Sequence, residues 1–224
     1  MMENHFIELI DVTKIYHQGD NPVLALDHIH LNISKGEFVA VTGKSGCGKS
    51  TLINIVGGLD SPDQGQVMIN GEDISKMDDR RLTLFRRDRV GIIFQFFNLL
   101  PILTLEENVV LPYLLKEGSN PPASKIERLL QEMGLYERRG HHPHELSGGE
   151  MQRVAICRAL INDPEIVLAD EPTGNLDSTS GKQVLEILRR LRDEQGKTIV
   201  LVTHSQEGAA LADRVIRMHD GRLL

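Results

Sequence analysis

The chain has 224 residues, 40% of them hydrophobic and 25% charged, with a formal net charge of -7. That length can bury a sizeable core in one domain, or in one large domain with a lobe. The acidic balance, with no basic stripe against it, disfavours nucleic acid as a partner; no apolar run nears the roughly 20 residues needed to cross a membrane; and two cysteines, Cys47 and Cys157, make no disulfide framework.

The opening "MMENHFIELI" lacks the basic start and long apolar stretch of a signal peptide, so a cytosolic protein is expected. Phe6, Ile7, Leu9 and Val12 stand among polar residues, and "LDHIHLNIS" alternates through Ile29, Leu31 and Ile33, so the first forty residues read as β-structure. "EFVAVTG" is a continuous apolar run ending in glycine, the pattern of a buried strand. A short helix follows in "TLINIVGGL", stopped by Gly57 and Gly58. "GQVMINGEDI" reads as strand and turn, and "VGIIFQ" as another buried strand. From Thr104 to about Tyr136 the pattern is helical, broken by the Pro/Gly/Ser loop "GSNPPAS". "MQRVAICRAL" is a helix with Val154, Cys157 and Ile161 on one stripe. "EIVLAD" is a strand, Thr179 to Glu194 a helix, "TIVLVTH" a strand, "SQEGAALA" a helical turn or two, and "DRVIRMHDGRLL" a terminal strand and turn. Strands alternating with helices imply an α/β fold with a mainly parallel sheet, beside a smaller antiparallel β region and a mostly helical lobe at about 98–160.

"GKSGCGKS" fits the pattern G-x-x-x-x-G-K-[ST] between a predicted strand and a predicted helix, the context the motif requires. Gly43, Gly46 and Gly48 let the loop curl so that its N–H groups face inward around phosphate oxygens, and the helix adds its positive end. Lys49 is placed to reach the β- and γ-phosphates, the Ser50 hydroxyl to bind Mg²⁺, and Thr51 to donate further. Cys47 lies inside the loop, either as a reactive thiol or, more simply, as a small residue that fits there.

"IVLADEP" ends a buried strand in two carboxylates. Asp170 is placed to hold Mg²⁺ and Glu171 to polarise an attacking water. His204 and Gln95 close two further strands. A histidine there is more often structural and a glutamine can simply cap the backbone, yet both should lie on the carboxyl edge where ligands bind. A second cradle-like stretch, "HELSGGE", sets Ser147, Gly148 and Gly149 directly ahead of a helix. An ordinary helix cap explains the serine but not the whole run.

With these residues together, the whole chain resembles the ATP-binding cassette (ABC) ATPases, the P-loop ATPases that power ABC transporters. "LSGGE", Leu146 to Glu150, resembles the signature motif of that family, followed by its usual continuation and by "EIVLADEPTGNLD". The resemblance implies that two such domains pack head to tail, each ATP lying between one P-loop and the partner's Ser147, Gly148, Gly149 and Glu150. It implies that the residues Gly43, Lys44, Ser45, Gly46, Cys47, Gly48, Lys49, Ser50 and Thr51 bind nucleotide. By the same likeness Tyr16 stacks on adenine, although core packing is the plainer role of one such tyrosine. Gln95 joins Ser50 and Asp170 at Mg²⁺, Asn175 to Asp177 cross the dimer interface, and His204 contacts the γ-phosphate. The expectation is one ABC ATPase domain over residues 1–224, with ATP and Mg²⁺ as ligands and two equivalent sites in a homodimer.

"FQFFNLLPILTLEENVVLPYLL" is similar to the cassettes of macrolide export, lipoprotein release, haem export and the cell-division ABC complex. Phe96, Phe97, Leu99 and Leu100 are then expected beside a groove for a short helix of a membrane subunit, with core packing the alternative for Phe97 and Leu100. The partner implied is a polytopic subunit with four spans and a large extracytoplasmic domain, and the location the cytosolic membrane face. The chain stops at "GRLL", so the regulatory C-terminal domain of some importers is not expected. Two other readings remain: the ATPase of a non-transporting mechanotransmission complex that regulates cell-envelope hydrolases, and a soluble ABC ATPase of translation, DNA repair or iron–sulfur assembly.

Overall fold

The computed structural model describes residues 5–18 and 21–224. Strands β1 (Ile7–Gln18) and β2 (Asn21–Ile33) form an antiparallel hairpin whose register slips three times. Asp11 (φ 54°) and His28 (φ 50°) sit at the first two slips. A bulge flips the facing of every later residue, which is how Leu9 and Val12, three apart, are both buried. Strand β3 (Phe38–Gly43) belongs to the other sheet, and β4 (Gln64–Ile69) with β5 (Glu72–Asp73) completes the first. The first sheet runs β2-β1-β4-β5, all antiparallel.

The second sheet adds β6 (Val90–Ile93), β7 (Ile166–Asp170), β8 (Thr198–Val202), β9 (Arg214–His219) and β10 (Arg222–Leu223), in the order β10-β9-β3-β8-β7-β6. Every pair is parallel except β9 with β10. Its central strands bury both faces. Ile166, Leu168, Val200 and Val202 join the cluster under the antiparallel sheet and α1 (Lys49–Val56), while Val167, Ala169, Ile199 and Leu201 join the cluster on the opposite face. A continuous apolar run is thus a period-2 pattern in which both faces are core.

Helices α2 (Asp79–Arg89), α3 (Leu105–Glu117), α4 (Ala123–Glu132), α5 (Gly148–Leu160), α6 (Ser178–Gln195) and α7 (Gln206–Ala210) complete the chain. The break between α3 and α4 falls on the "GSNPPAS" loop. Helix α2 is absent from the expected elements because its pattern is weak. Only Leu82 and Phe85 are buried in it, and Asp78 caps its start by accepting from the Arg81 N–H at 2.8 Å. The helical region at 98–160 shares a core with the sheet: Leu105, Val109, Leu130, Leu146 and Val154 pack in one cluster with Phe38, Ile93 and Val167.

Gly91 sets how closely α5 lies on β6. A β-carbon there would stand 2.6 Å from the Ala159 carbonyl oxygen, a backbone atom that cannot swing aside. Gly91→Ala should therefore force the two elements apart and cost about 1–3 kcal/mol, read as a lower urea midpoint at unchanged slope.

Candidate nucleotide-binding site

The register of the parallel ladder builds the site. Val41 of β3 pairs with Val202 of β8, Val202 with Asp170 of β7, and Ile93 of β6 with Ala169. The four strands therefore end nearly level. At strand spacings of roughly 4.8 Å, Gly43, His204, Glu171 and Gln95 leave one edge within about 15 Å of each other.

From β3 the chain turns through Lys44 to Gly48 into α1. Gly48 caps that helix at φ 105°, and a β-carbon on it would lie 2.2 Å from the Ala25 carbonyl oxygen. No side chain caps α1, which leaves its first N–H groups to the loop's concave side. Lys49 is buried and its ammonium donates to the carbonyls of Gly43 (3.0 Å) and Lys44 (2.9 Å), lying across the loop. Lys44, Ser45, Gly46 and Ser50 are exposed, and Thr51 is half-buried. Cys47 turns its thiol inward into the core cluster, only 5% exposed, so the structure favours the small fitting residue over a reactive thiol.

Asp170 ends β7, and its buried Oδ1 has no hydrogen-bond partner among the described residues. Glu171 takes a left-handed conformation (φ 48°), fixed by its N–H donating to the Val202 carbonyl at 2.9 Å and its carbonyl accepting from Gly174 N–H at 3.0 Å. That turn brings Glu171 Oε1 to 2.8 Å from His204 Nε2. Gln95 is held nearby: its carbonyl accepts from Asn175 Nδ2 at 3.2 Å, and its Nε2 lies 2.9 Å from where a β-carbon on Gly174 would stand. Gly174 thus leaves room for the Gln95 amide. An orphaned carboxylate oxygen, a hydroxyl and an amide oxygen are the hard oxygen donors that suit Mg²⁺. Among the described residues no group of three or more His, Cys, Asp or Glu is arranged to hold a metal ion.

Tyr16 lies on β1 opposite Val23, and its hydroxyl donates to Asp60 Oδ2 at 2.8 Å. Burial first, and then that carboxylate, push the phenol above its usual pKa. Lys14 reaches the same Asp60 at 2.8 Å and stands 5.3 Å from the Tyr16 ring centre.

The Ser147–Glu150 turn is elsewhere. Ser147 caps α5 by accepting from the Glu150 N–H (3.3 Å), and Glu150 Oε2 accepts from the Ser147 N–H and hydroxyl, both at 2.8 Å. Gly149 admits Ser180 of α6, since a β-carbon would meet Ser180 Oγ at 2.5 Å, and Gly148 faces Leu176 and Phe97. Asp177 in turn caps α6 through the N–H groups of Thr179 and Ser180, both at 3.0 Å. No hydrogen bond joins this turn to the Gly43–Thr51 loop among the described residues. The structure brings Gln95, Asp170, Glu171 and His204 to one edge with the loop, and sets the second cradle apart on the Asn175–Asp177 side.

Sequence reasoning missed Gly174, Asp60 and Arg158. Arg158 donates to the carbonyls of Phe97 and Asn98 from α5. Its signal was present as a charged residue four after Val154, on the flank of an otherwise apolar helical stripe.

A glycine loop between strand and helix, at the carboxyl edge of a mainly parallel sheet, defines a P-loop nucleoside-triphosphatase fold. Residues 26–174 match the family model described as ABC transporter, and the chain belongs to that family. An uncharacterized ABC transporter ATP-binding protein of Mycobacterium tuberculosis is 46% identical over 225 residues, covering 100% of this chain and 91% of its own. Another, from Methanocaldococcus jannaschii, is 46% identical over 97% of this chain and 94% of its own. That cassette has been solved as a dimer in a post-hydrolysis state bound to ADP and Pi; it superposes with a TM-score of 0.90 at 43% identity, covering 97% and 96% of the two chains. The macrolide export ATP-binding/permease protein MacB of Rhodospirillum rubrum is 47% identical over 97% of this chain and 34% of its own length. The chain is thus an ABC-type ATPase cassette.

The Ser147 N–H is the first and largest influence holding the Glu150 carboxyl below its usual pKa, followed by the Ser147 hydroxyl. A folded-state pKa below the unfolded value of about 4.3 stabilises the protein above that pH and is lost as pH falls through the folded value. Glu150→Gln should therefore be less stable at neutral pH by about 0.5–1 kcal/mol and show a shallower loss on the acid limb, by urea unfolding from about pH 7 to pH 3.

Proposed function

We propose that this cassette is the ATP-hydrolysing subunit of an export or membrane-extraction transporter, working as a homodimer with two ATP molecules at its interface. The observation that carries the hydrolytic reading is the Glu171–His204 pair at 2.8 Å, beside a buried Asp170 oxygen with no hydrogen-bond partner among the described residues, on the edge shared with the P-loop. The Gly43–Thr51 loop cradles the phosphates, and Tyr16 offers its ring to adenine. Lys49 exchanges the Gly43 and Lys44 carbonyls for the β- and γ-phosphates. Glu171, oriented by His204, accepts a proton from the attacking water, while Lys49 stabilises charge that develops on the γ-phosphate. Ser50, Asp170 and Gln95 would hold Mg²⁺, which would supply positive charge against the phosphates.

The separation of the two cradles within one chain supports a head-to-tail dimer, in which Ser147, Gly148, Gly149 and Glu150 face the partner's γ-phosphate. The solved relative is dimeric with ADP and Pi, and the MacB relative's name pairs an ATP-binding part with a permease. A groove of about 690 Å³ between α2, β6 and α3 supports a membrane partner. Leu84, Leu115 and Ile92 line it beside Arg86 and Arg158, and Phe96, between the lining residues Phe94 and Asn98 in sequence, is 71% exposed. An amphipathic helix from a polytopic subunit fits such a surface. No described helix is long and apolar enough to cross a membrane itself, which suits a peripheral subunit on the cytosolic face.

With saturating ATP, Glu171→Gln should hydrolyse nothing and elute as a dimer, while Lys49→Ala should lose ATP binding and stay monomeric; a monomeric Glu171→Gln chain would overturn the sandwich. In detergent extracts of native membranes the chain should bring down a polytopic membrane protein. Leu84→Glu with Leu115→Glu should cut that recovery at least about tenfold, the equivalent of about 1.4 kcal/mol.

A further inference from the structure

The loop after Gln95 has an uncommon backbone. Phe97 (φ 38°) and Asn98 (φ 51°) are consecutive and both left-handed, a region that residues with a β-carbon enter rarely and usually singly. Neither lies in a helix or strand. They are held by one side chain of α5: Arg158 donates from Nη1 to the Asn98 carbonyl and from Nη2 to the Phe97 carbonyl, the latter at 2.7 Å. Two adjacent carbonyls are gripped by the two ends of one planar fork, which a lysine cannot reproduce. Arg158 is half-buried, and burial lowers its pKa from the usual arginine value. On the opposite flank, Asn175 Nδ2 holds the Gln95 carbonyl.

Arg158 and Asn98 also line the 690 Å³ groove. One side chain therefore touches both the groove and the loop that carries Gln95. Its helix begins at the Ser147–Glu150 turn, roughly 16 Å away along a continuous rod.

We propose that Arg158 is a positioning residue that latches the Phe97–Asn98 turn in its left-handed form, and so fixes where Gln95 stands relative to the groove and to the second cradle. This rests on the reading of Gln95 as part of the hydrolytic site. When the latch opens, the turn relaxes toward ordinary φ values and Gln95 withdraws. A displacement of α5, from either the groove or the partner's nucleotide, reaches Gln95 through this fork.

The test uses the full chain and three variants: Arg158→Gln; Arg158→Lys, which keeps charge and guards against simple unfolding; and Arg158→Gln with Asn98→Gly. Hydrogen–deuterium exchange of residues 96–100 should quicken at least about tenfold in both single variants, while α5 and the sheet keep their protection. Their kcat should fall at least about tenfold, with the ATP Kd within about twofold of the parent. Glycine adopts left-handed φ without a latch, so Asn98→Gly should recover kcat at least about threefold in the Arg158→Gln background, which a space-filling role for Arg158 does not predict. Unchanged exchange in both single variants, or no recovery with Asn98→Gly, overturns the latch. If the parent itself turns over no ATP, the hydrolytic reading fails, and the exchange data alone decide whether Arg158 latches the loop.

Discussion

The level ending of four parallel strands is the constraint on which the site depends. Once Val41, Val202 and Asp170 share one rung, and Ile93 stands beside Ala169, the residues just beyond each strand emerge side by side. A slip of one residue in any pairing would turn an alternating face away from its core cluster, because Val200 and Ile199 serve opposite faces. The register is thus enforced by burial on both sides of the sheet. The residues at its edge inherit their spacing from that register.

What the sheet leaves open, short polar contacts settle. Glu171 is swung toward His204 by a left-handed turn anchored on the Val202 carbonyl, so its direction is a property of the backbone. Gln95 depends on its surroundings: space left by Gly174, a bond from Asn175, and the Arg158 fork two residues on. The rigid and the adjustable parts of the edge are therefore different residues. The Glu171 carboxylate is set by the turn directly after β7, and the glutamine sits on a loop with two left-handed residues that borders a surface groove.

The two cradles show the same division. The P-loop is fixed within its own domain, with Gly48 pressed on Ala25 and Lys49 buried over the loop carbonyls. The Ser147–Glu150 turn is a well-capped helix start with its own carboxylate folded back on it, packed on Leu176 and Ser180. Among the described residues no hydrogen bond joins one cradle to the other. The solved relative is a dimer, and in the head-to-tail dimer proposed for this chain that separation would give each copy half of two sites.

The sequence by itself determined the local parts. Glycine and lysine spacing marked the P-loop, apolar runs marked the buried strands, and the serine, glycines and glutamate at the start of α5 marked its cap. These are short-range features, and a few neighbouring residues suffice to dictate them. Helix α2 escaped because two buried side chains among arginines and aspartates make too weak a period to read, and its burial comes from packing near Gly58. Only the tertiary structure decided that Glu171 meets His204, that Gly174 makes room for Gln95, and that Arg158 grips a loop sixty residues earlier. Each of these needs partners far apart in sequence, and their meeting depends on how strands are ordered and helices are laid down, which no local pattern encodes.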